Sequence, residues 1–431
     1  MFHPLRALAS QRALICARIL CGSLALVGFT AHGQAIGLTL ESALYQATNR
    51  SAAIQASQSS VLASSHAAVR ADQLPDPVLK VGIDNVPIDG PQRYSLGQDF
   101  MTMRRIGLEQ EWVSSEKRER RASLANRITD KERAASLEQL VDTRQQTAAA
   151  WLNAAYAQRG LELSEALVDH MTHELAAVRA SYRGAQASAD DVTQAQMMRS
   201  QAKDQLLKAQ QTLRSALIML SRWVASPVDR VSGDIPRLES QVASLTLQEL
   251  NQLQPQLLAA ARDISIADAD TSVASSNRTP NWTWGVTFQQ RGSQYSNMVS
   301  VGVSIPLPVS RENRQDRDVA EKAALGNKAR LMLRETVRQV QANIHILSTS
   351  LANGRERVAQ LSHTLLPAVG RQVKLSTAAY KAGTGSLASV FNAKRAELDA
   401  RLQILDLERD VAQTWAQLEY QVIPQDRPLG Q

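Results

Sequence analysis

The chain has 431 residues, is 44% hydrophobic but only 4% aromatic, and carries a formal charge of +7. Aromatics this scarce, with Ala, Gln, Ser, Leu and Arg filling long stretches, exclude an ordinary set of compact globules and suit extended helices. The charge does not point to nucleic acid, because basic residues alternate with acidic ones, as in Glu116-Lys117-Arg118-Glu119-Arg120-Arg121, a solvated helix face with i,i+4 pairing.

Residues 1–33 read as an export signal. Arg6, Arg12 and Arg18 precede an apolar run from Ile19 to Phe29, and small residues follow at Ala31 and Gly33, so cleavage is expected before Gln34. A membrane anchor is the competing reading, but the run is far shorter than the ~20 residues a spanning helix needs. Cys16 and Cys21 both fall in this segment, so the mature chain is expected to lack cysteine, which excludes structural disulfides, catalytic thiolates and zinc–thiolate sites. No other stretch is apolar enough to span as a helix. An exported chain of this kind is periplasmic, secreted or part of a β-barrel.

Residues 34–77 are predicted as a periplasmic helix, and 78–112 as a strand pair joined by an external loop. In the first strand, Val78 to Val86, Leu79, Val81 and Ile83 alternate with Lys80, Gly82 and Asp84. In the second, Ile106 to Trp112, Ile106, Leu108 and Trp112 alternate with Gly107, Glu109 and Glu111. Residues 113–224 form a helical hairpin whose first arm runs from about Ser115 to Ser181. At 1.5 Å per residue such an arm is a rod of about 100 Å, too long for a compact domain and suited to coiled-coil-like packing. Proline and glycine at Pro227, Gly233 and Pro236 interrupt the pattern in 225–247, and a further helix follows in 248–281.

A second strand pair is predicted in 282–307. Trp282, Trp284, Val286 and Phe288 alternate with Thr283, Gly285, Thr287 and Gln289, and Val299 to Leu307 alternates likewise. A second hairpin fills 308–422, its long arm running from about Arg311 to Ala379 with Pro367 as its one proline, and 423–431 is a C-terminal tail. Helices near 191–224 and 248–277 are each half a rod long and could stack end to end.

The two halves are a duplication. Ala180-Ser181-Tyr182-Arg183-Gly184 through Val192 and Ala195 aligns without gaps to Ala378-Ala379-Tyr380-Lys381-Ala382 through Val390 and Ala393, and Leu38-Thr39-Leu40 recurs as Leu245-Thr246-Leu247. Gly184, Gly383 and Gly385 are expected to supply left-handed helix ends at the two hairpin tips, with Ser188 and Ser386 capping the return helices.

Period-two strands in a soluble protein form a half-buried sheet. Here export, strand length and aromatics at the strand ends (Trp112, Trp282, Trp284, Tyr94, Tyr295) favour membrane strands with an interfacial girdle. Lys80, Asp84, Glu109 and Glu111 would then face a lumen with a slightly acidic balance. Four strands cannot enclose a pore, and an open edge in lipid is costly, so several chains must combine; three would give twelve strands, although closure alone leaves the copy number open.

No enzyme is predicted. HExxH, Gly-x-Ser-x-Gly and P-loop patterns are absent, and Gly383-x-Gly385 follows no strand. His170-x-x-His173-Glu174 places two imidazoles on one helix face, and Met101 with Met103 offers soft sulfur, but an exposed rod surface and ordinary packing explain both. No metal site or cofactor is predicted.

The turn Tyr380-Lys381-Ala382-Gly383-Thr384-Gly385-Ser386-Leu387-x-x-Val390-x-x-Ala393 resembles the periplasmic-tip signature of the TolC family of outer-membrane efflux channels. Leu74-Pro75-Asp76-Pro77 and Asp99-Phe100-Met101-Thr102-Met103-Arg104-Arg105-Ile106-Gly107 resemble its heavy-metal, CzcC- and CusC-type branch. The resemblance covers nearly the whole mature chain. It implies a mostly α protein with transmembrane β-strands: a homotrimer in the cell outer membrane, with a 12-stranded barrel in lipid and a long periplasmic α-helical barrel. It further implies passive export, a periplasmic adaptor docked at tip turns containing Tyr182, Gly184, Tyr380, Gly383 and Gly385, and an inner-membrane RND pump. The gate it implies uses aspartate rings and polar links at the tip. Asp191 matches one acidic position, Asp190 adds a neighbouring carboxylate, and Ser389 and Asn392 occupy the two acidic positions of the second repeat, so the acidic ring is incomplete. Arg183 and Lys381 would provide linking charges. Heavy-metal export is the leading expectation; a channel for drugs or a secreted polypeptide, and a non-channel periplasmic coiled coil, are the alternatives.

Overall fold

The computed structural model describes residues 37–424; the predicted signal at 1–33 and the end of the predicted tail, 425–431, lie outside them. Two helices open the chain where one was expected: α1 (Leu40–Arg50) and α2 (Ala52–Ala71). Ser51 divides them by leaving the helical conformation and capping the Ile54 amide at 3.3 Å. Strands β1 (Val78–Asp84) and β2 (Met103–Trp112) lead into α3, Ser115–Arg183, a single helix of 69 residues. The return helix α4 is Ala189–Val224; α5 (Leu247–Leu253) and α6 (Pro255–Ser276) precede β3 (Trp282–Gln290) and β4 (Met298–Ser304). The second hairpin consists of α7 (Gln315–Gln360), α8 (Leu366–Lys381) and α9 (Leu387–Glu419).

The second long arm is therefore not the uninterrupted rod expected from 311 to 379. It starts at Gln315, after a 3-10 turn at Arg311–Asn313, and a π-turn at Leu361–Leu365 divides it. Pro367 has no amide to donate to the carbonyl of His363, and the helix widens there. The turn also absorbs one extra residue. Buried Thr129, Thr143, Thr147 and Ala154 of α3 recur as buried Gly326, Val340, Ile344 and Leu351 at a separation of 197 residues, whereas Val178 below the turn recurs as Ser376 at 198. The bulge restores the phase of the duplication before the tip is reached.

The end-to-end stacking proposed from sequence also changes partners. The end of α4 meets α1, where Ser226 and Gln46 side chains bond at 3.3 Å, and the end of α9 meets α5, where the Ile423 amide donates to the Leu253 carbonyl at 2.8 Å. Each repeat thus stacks its own two shorter pieces beside its own long helix.

The main core lies at mid-length, where α1, α3, α4, α7, α9 and the 225–247 segment converge on Trp151, Leu152, Leu220, Val224, Trp415 and Leu418. Each repeat supplies one anchoring indole: Trp151 Nε1 donates to the Leu38 carbonyl at 2.7 Å, and Trp415 Nε1 to the Glu239 carbonyl at 2.9 Å. Leu38 pairs in parallel with Val231, so the interrupted segment between the repeats is held against the N-terminal one.

Candidate functional site

The four strands form one antiparallel sheet in sequence order β1-β2-β3-β4. Registers Val81↔Ile106, Ile106↔Phe288 and Phe288↔Val299 align one apolar face: Leu79, Val81, Ile83, Ile106, Leu108, Trp112, Trp282, Trp284, Val286, Phe288, Val299, Val301 and Val303. Most of these side chains are exposed, Val301 by 73%, which is far from the state of a soluble core face. Directly paired Trp112 and Trp282 stack with ring centroids 5.9 Å apart at the helix-proximal end of the sheet. The three tryptophans predicted as a girdle are therefore brought together, with Trp284 two residues further along the same face.

Lys80, Asp84, Glu109 and Glu111 share the opposite face with Thr283, Thr287, Gln289, Ser300 and Ser304. Gly107 allows close strand approach there, since a Cβ would stand 2.6 Å from Thr287 Oγ1. The strand limits differ from expectation by more than one residue at three points. The first strand stops at Asp84 because Asn85 is left-handed (φ 56°), and the fourth stops at Ser304 ahead of Pro306 and Pro308, which cannot donate to a ladder. The second strand begins at Met103, three residues before the predicted start, and so adds Arg105 to the polar face.

Arg105 revises the expected acidic balance. It pairs with Asp84 at 3.2 Å, and Lys80 pairs with Glu109, leaving Glu111 as the predicted carboxylate without an ion pair among the described residues. Glu111 accepts from Asn281 Nδ2 at 2.7 Å, and Asn281 Oδ1 accepts from the buried Lys117 ammonium at 2.7 Å. Burial, reinforced by the nearby Arg121 charge, pushes the Lys117 pKa below its ordinary value, while Glu111 opposes the shift. This relay ties the end of β2, the start of β3 and the first turn of α3. Sequence inspection missed it because the three residues are dispersed along the chain.

At the other end of the rods the two tips are copies. Gly184 and Ala382 amides donate to Ala180 and Ala378 carbonyls, Ala185 and Gly383 amides to Tyr182 and Tyr380, and Gln186 and Thr384 amides to Ser181 and Ala379, all at 2.9–3.1 Å. The left-handed residue is Ala185 (φ 56°) in one tip and Gly383 (φ 72°) in the other; Gly184, with φ −86°, and Gly385, both expected to be left-handed, are not. A left-handed alanine costs about 1 kcal/mol more than glycine. Ala185→Gly is expected to stabilise the first tip by about that amount and slow hydrogen exchange at Gln186, while Gly383→Ala accelerates exchange at Thr384.

Tip residues differ in exposure. Tyr380 packs against a small core of Leu175, Val178, Ala195, Leu387, Val390 and Phe391 that joins both hairpins, whereas Tyr182 is half exposed. The Asp191 carboxylate accepts from the Ser188 amide and contacts its hydroxyl, both at 2.8 Å, while the Asp191 amide donates to Ser188 Oγ at 3.1 Å, completing a capping box; in the second tip the Ser389 amide likewise donates to Ser386 Oγ at 3.2 Å, but position 389 has no carboxylate to return the bond. Asp190, Arg183, Lys381 and Asn392 are exposed. A half-buried Lys394–Glu174 ion pair, unanticipated from sequence, links α9 to α3. The His170/His173 pair lacks a metal geometry: His170 lies 3.5 Å from Glu174, which Lys394 occupies, His173 lies 3.5 Å from Asp169, and no group of three or more candidate ligands occurs among the described residues.

An exposed apolar sheet face on helical rods about 100 Å long defines the class: a channel subunit whose strands lie in lipid. Comparisons agree. Residues 246–421 match the outer membrane efflux protein family. The cobalt-zinc-cadmium resistance protein CzcC of Cupriavidus metallidurans is 24% identical over 378 residues, covering 85% of this chain and 86% of that protein. The fold matches a membrane protein from Pseudomonas aeruginosa (TM-score 0.76, 16% identity, 89% of each chain) and CusC (TM-score 0.74, 14% identity, 89% of this chain and 92% of that one). The second repeat thus matches the outer membrane efflux protein family and the whole fold matches that of outer-membrane channels, which makes the chain an outer-membrane channel protein rather than an enzyme.

Proposed function

We propose that three copies of this chain form the outer-membrane conduit of a tripartite, RND-type efflux system, and that the cargo is heavy-metal cations. The observation that carries the assembly is the sheet itself: β1 and β4 each pair on one side only, and their free edges would leave backbone groups unsatisfied in lipid. Three copies close a twelve-stranded barrel and continue it as a periplasmic tunnel of long helices. The polar face then lines the lumen, where Lys80–Glu109 and Arg105–Asp84 pairing leaves a weak field biased by Glu111.

The cargo assignment is supported by the similarity to CzcC, a cobalt-zinc-cadmium resistance protein. A periplasmic adaptor would dock on the duplicated tip turns, around Tyr182, Gly184, Tyr380, Gly383 and Gly385, and the pump would supply the energy. At the tip, Asp190 is the better gate carboxylate, because Asp191 is engaged in its cap. Unchanged single-channel conductance and cation block in Asp190→Asn would remove that role. Deletion of the protein is expected to lower tolerance to cobalt, zinc and cadmium with drug sensitivity unchanged. Increased drug sensitivity with unchanged metal tolerance would reassign the cargo.

A further inference from the structure

The connections at 85–102 and 291–297 join the strands at the end remote from the helices, which in an outer-membrane channel faces outward from the cell. Arg104 stands at that end, on the apolar face, between Ile83 and Gln290 in the register and one step beyond Ile106. A guanidinium on a lipid-facing surface is unfavourable in hydrocarbon and tolerated only near the interface, where it takes an anionic partner. The protein supplies none: among the described residues Arg104 makes no ion pair or side-chain hydrogen bond, and it lies along Gly97, whose Cβ position is 3.8 Å from Nη2.

The surrounding charge has the same sign. Arg93 and Arg291 sit at this end, over the Tyr94 and Tyr295 rings at 5.2 and 5.0 Å; among the described residues neither forms an ion pair, and Arg291 donates to the Phe100 carbonyl. Of the nearby carboxylates, Asp84 is taken by Arg105 on the other face, and Asp99 accepts the Met101 and Thr102 amides at 2.8 and 3.2 Å. Only Asp89 is uncommitted among the described residues. We propose that this rim binds the phosphate of an outer-leaflet glycolipid, with Arg104 as its anchor. Arginine suits forked phosphate recognition, the Gln290 amide can meet sugar hydroxyls, and the tyrosines provide an interfacial platform. The proposal rests on the apolar face meeting lipid.

Binding of bis-phosphorylated lipid A to the detergent-solubilised channel, measured by native mass spectrometry, tests it. Dephosphorylated lipid A and phosphatidylglycerol serve as the other arms, with Arg104→Gln, Arg104→Lys and Arg105→Gln as variants recovered from the outer membrane. Phosphorylated lipid A is expected to bind wild type and Arg105→Gln alike, and about tenfold more weakly to Arg104→Gln, the size of one charge-assisted hydrogen bond. Arg104→Lys should recover part of the loss, and removing the lipid phosphates should reproduce it. Equal binding by Arg104→Gln, equal loss in Arg105→Gln, or phosphatidylglycerol bound as tightly as lipid A would each overturn the proposal. Absence of the wild-type chain from the outer membrane would instead strike the channel reading beneath it.

Discussion

Val301→Arg is expected to destabilise the assembled channel by about 2–4 kcal/mol per chain, while the adjacent Ser300→Arg is tolerated. The two residues are neighbours on β4 but stand on opposite faces: Val301 opposes Val286, and Ser300 opposes Thr287. Arginine at 301 would carry a charge into the middle of the hydrocarbon band, whereas at 300 it would enter a face already holding Lys80, Arg105 and three carboxylates. In the proposed trimer, three charges added symmetrically to the lumen would alter conductance rather than assembly. Denaturant midpoints of the outer-membrane oligomer, paired with single-channel recordings, separate the two outcomes. Equal tolerance of both substitutions would contradict a lipid-facing apolar surface, and greater harm from Ser300→Arg would reverse the assignment of faces.

The second large effect is expected at mid-rod. Trp151→Ala should cost about 3–5 kcal/mol, since the indole is 1% exposed and its loss opens a cavity among the packed helices. It also removes the bond from Nε1 to the Leu38 carbonyl, which fastens the N-terminal segment to the rod and, through Leu38 and Val231, to the 225–247 segment. Trp151→Phe retains most of the volume and should cost about 1 kcal/mol, the scale of the hydrogen bond. Urea midpoints give the totals, and limited proteolysis shows where the chain loosens. Cleavage should concentrate in 225–247 for Trp151→Ala, while α3 itself stays helical. A loss of stability without new cleavage there would mean that the indole fills space but does not fasten the segment.

Local periodicity by itself determined the class of this protein. The spacing of apolar residues in 115–183 can bury a face only as a long helix, and the alternation in 78–84 and 282–290 can do so only as a strand. The duplicated turn at Tyr182 and Tyr380 fixed the order of elements in both halves, down to the same tip hydrogen bonds. What the sequence could not carry was anything depending on which distant residues meet. The left-handed position falls on Ala185 rather than Gly184 because the turn's hydrogen bonds, and not the availability of glycine, choose it. The π-turn at 361–365 arises where Pro367 withholds a donor and the repeat must accommodate one extra residue, a phase relation visible only in the burial of facing helices. Arg105 reduces the acidic excess predicted for the polar face, leaving Glu111, because cross-strand register, not composition, decides which charges share a face. Register likewise leaves Arg104 on the apolar side without an ion pair among the described residues, while Arg105, the next residue along the same strand, stands on the polar face.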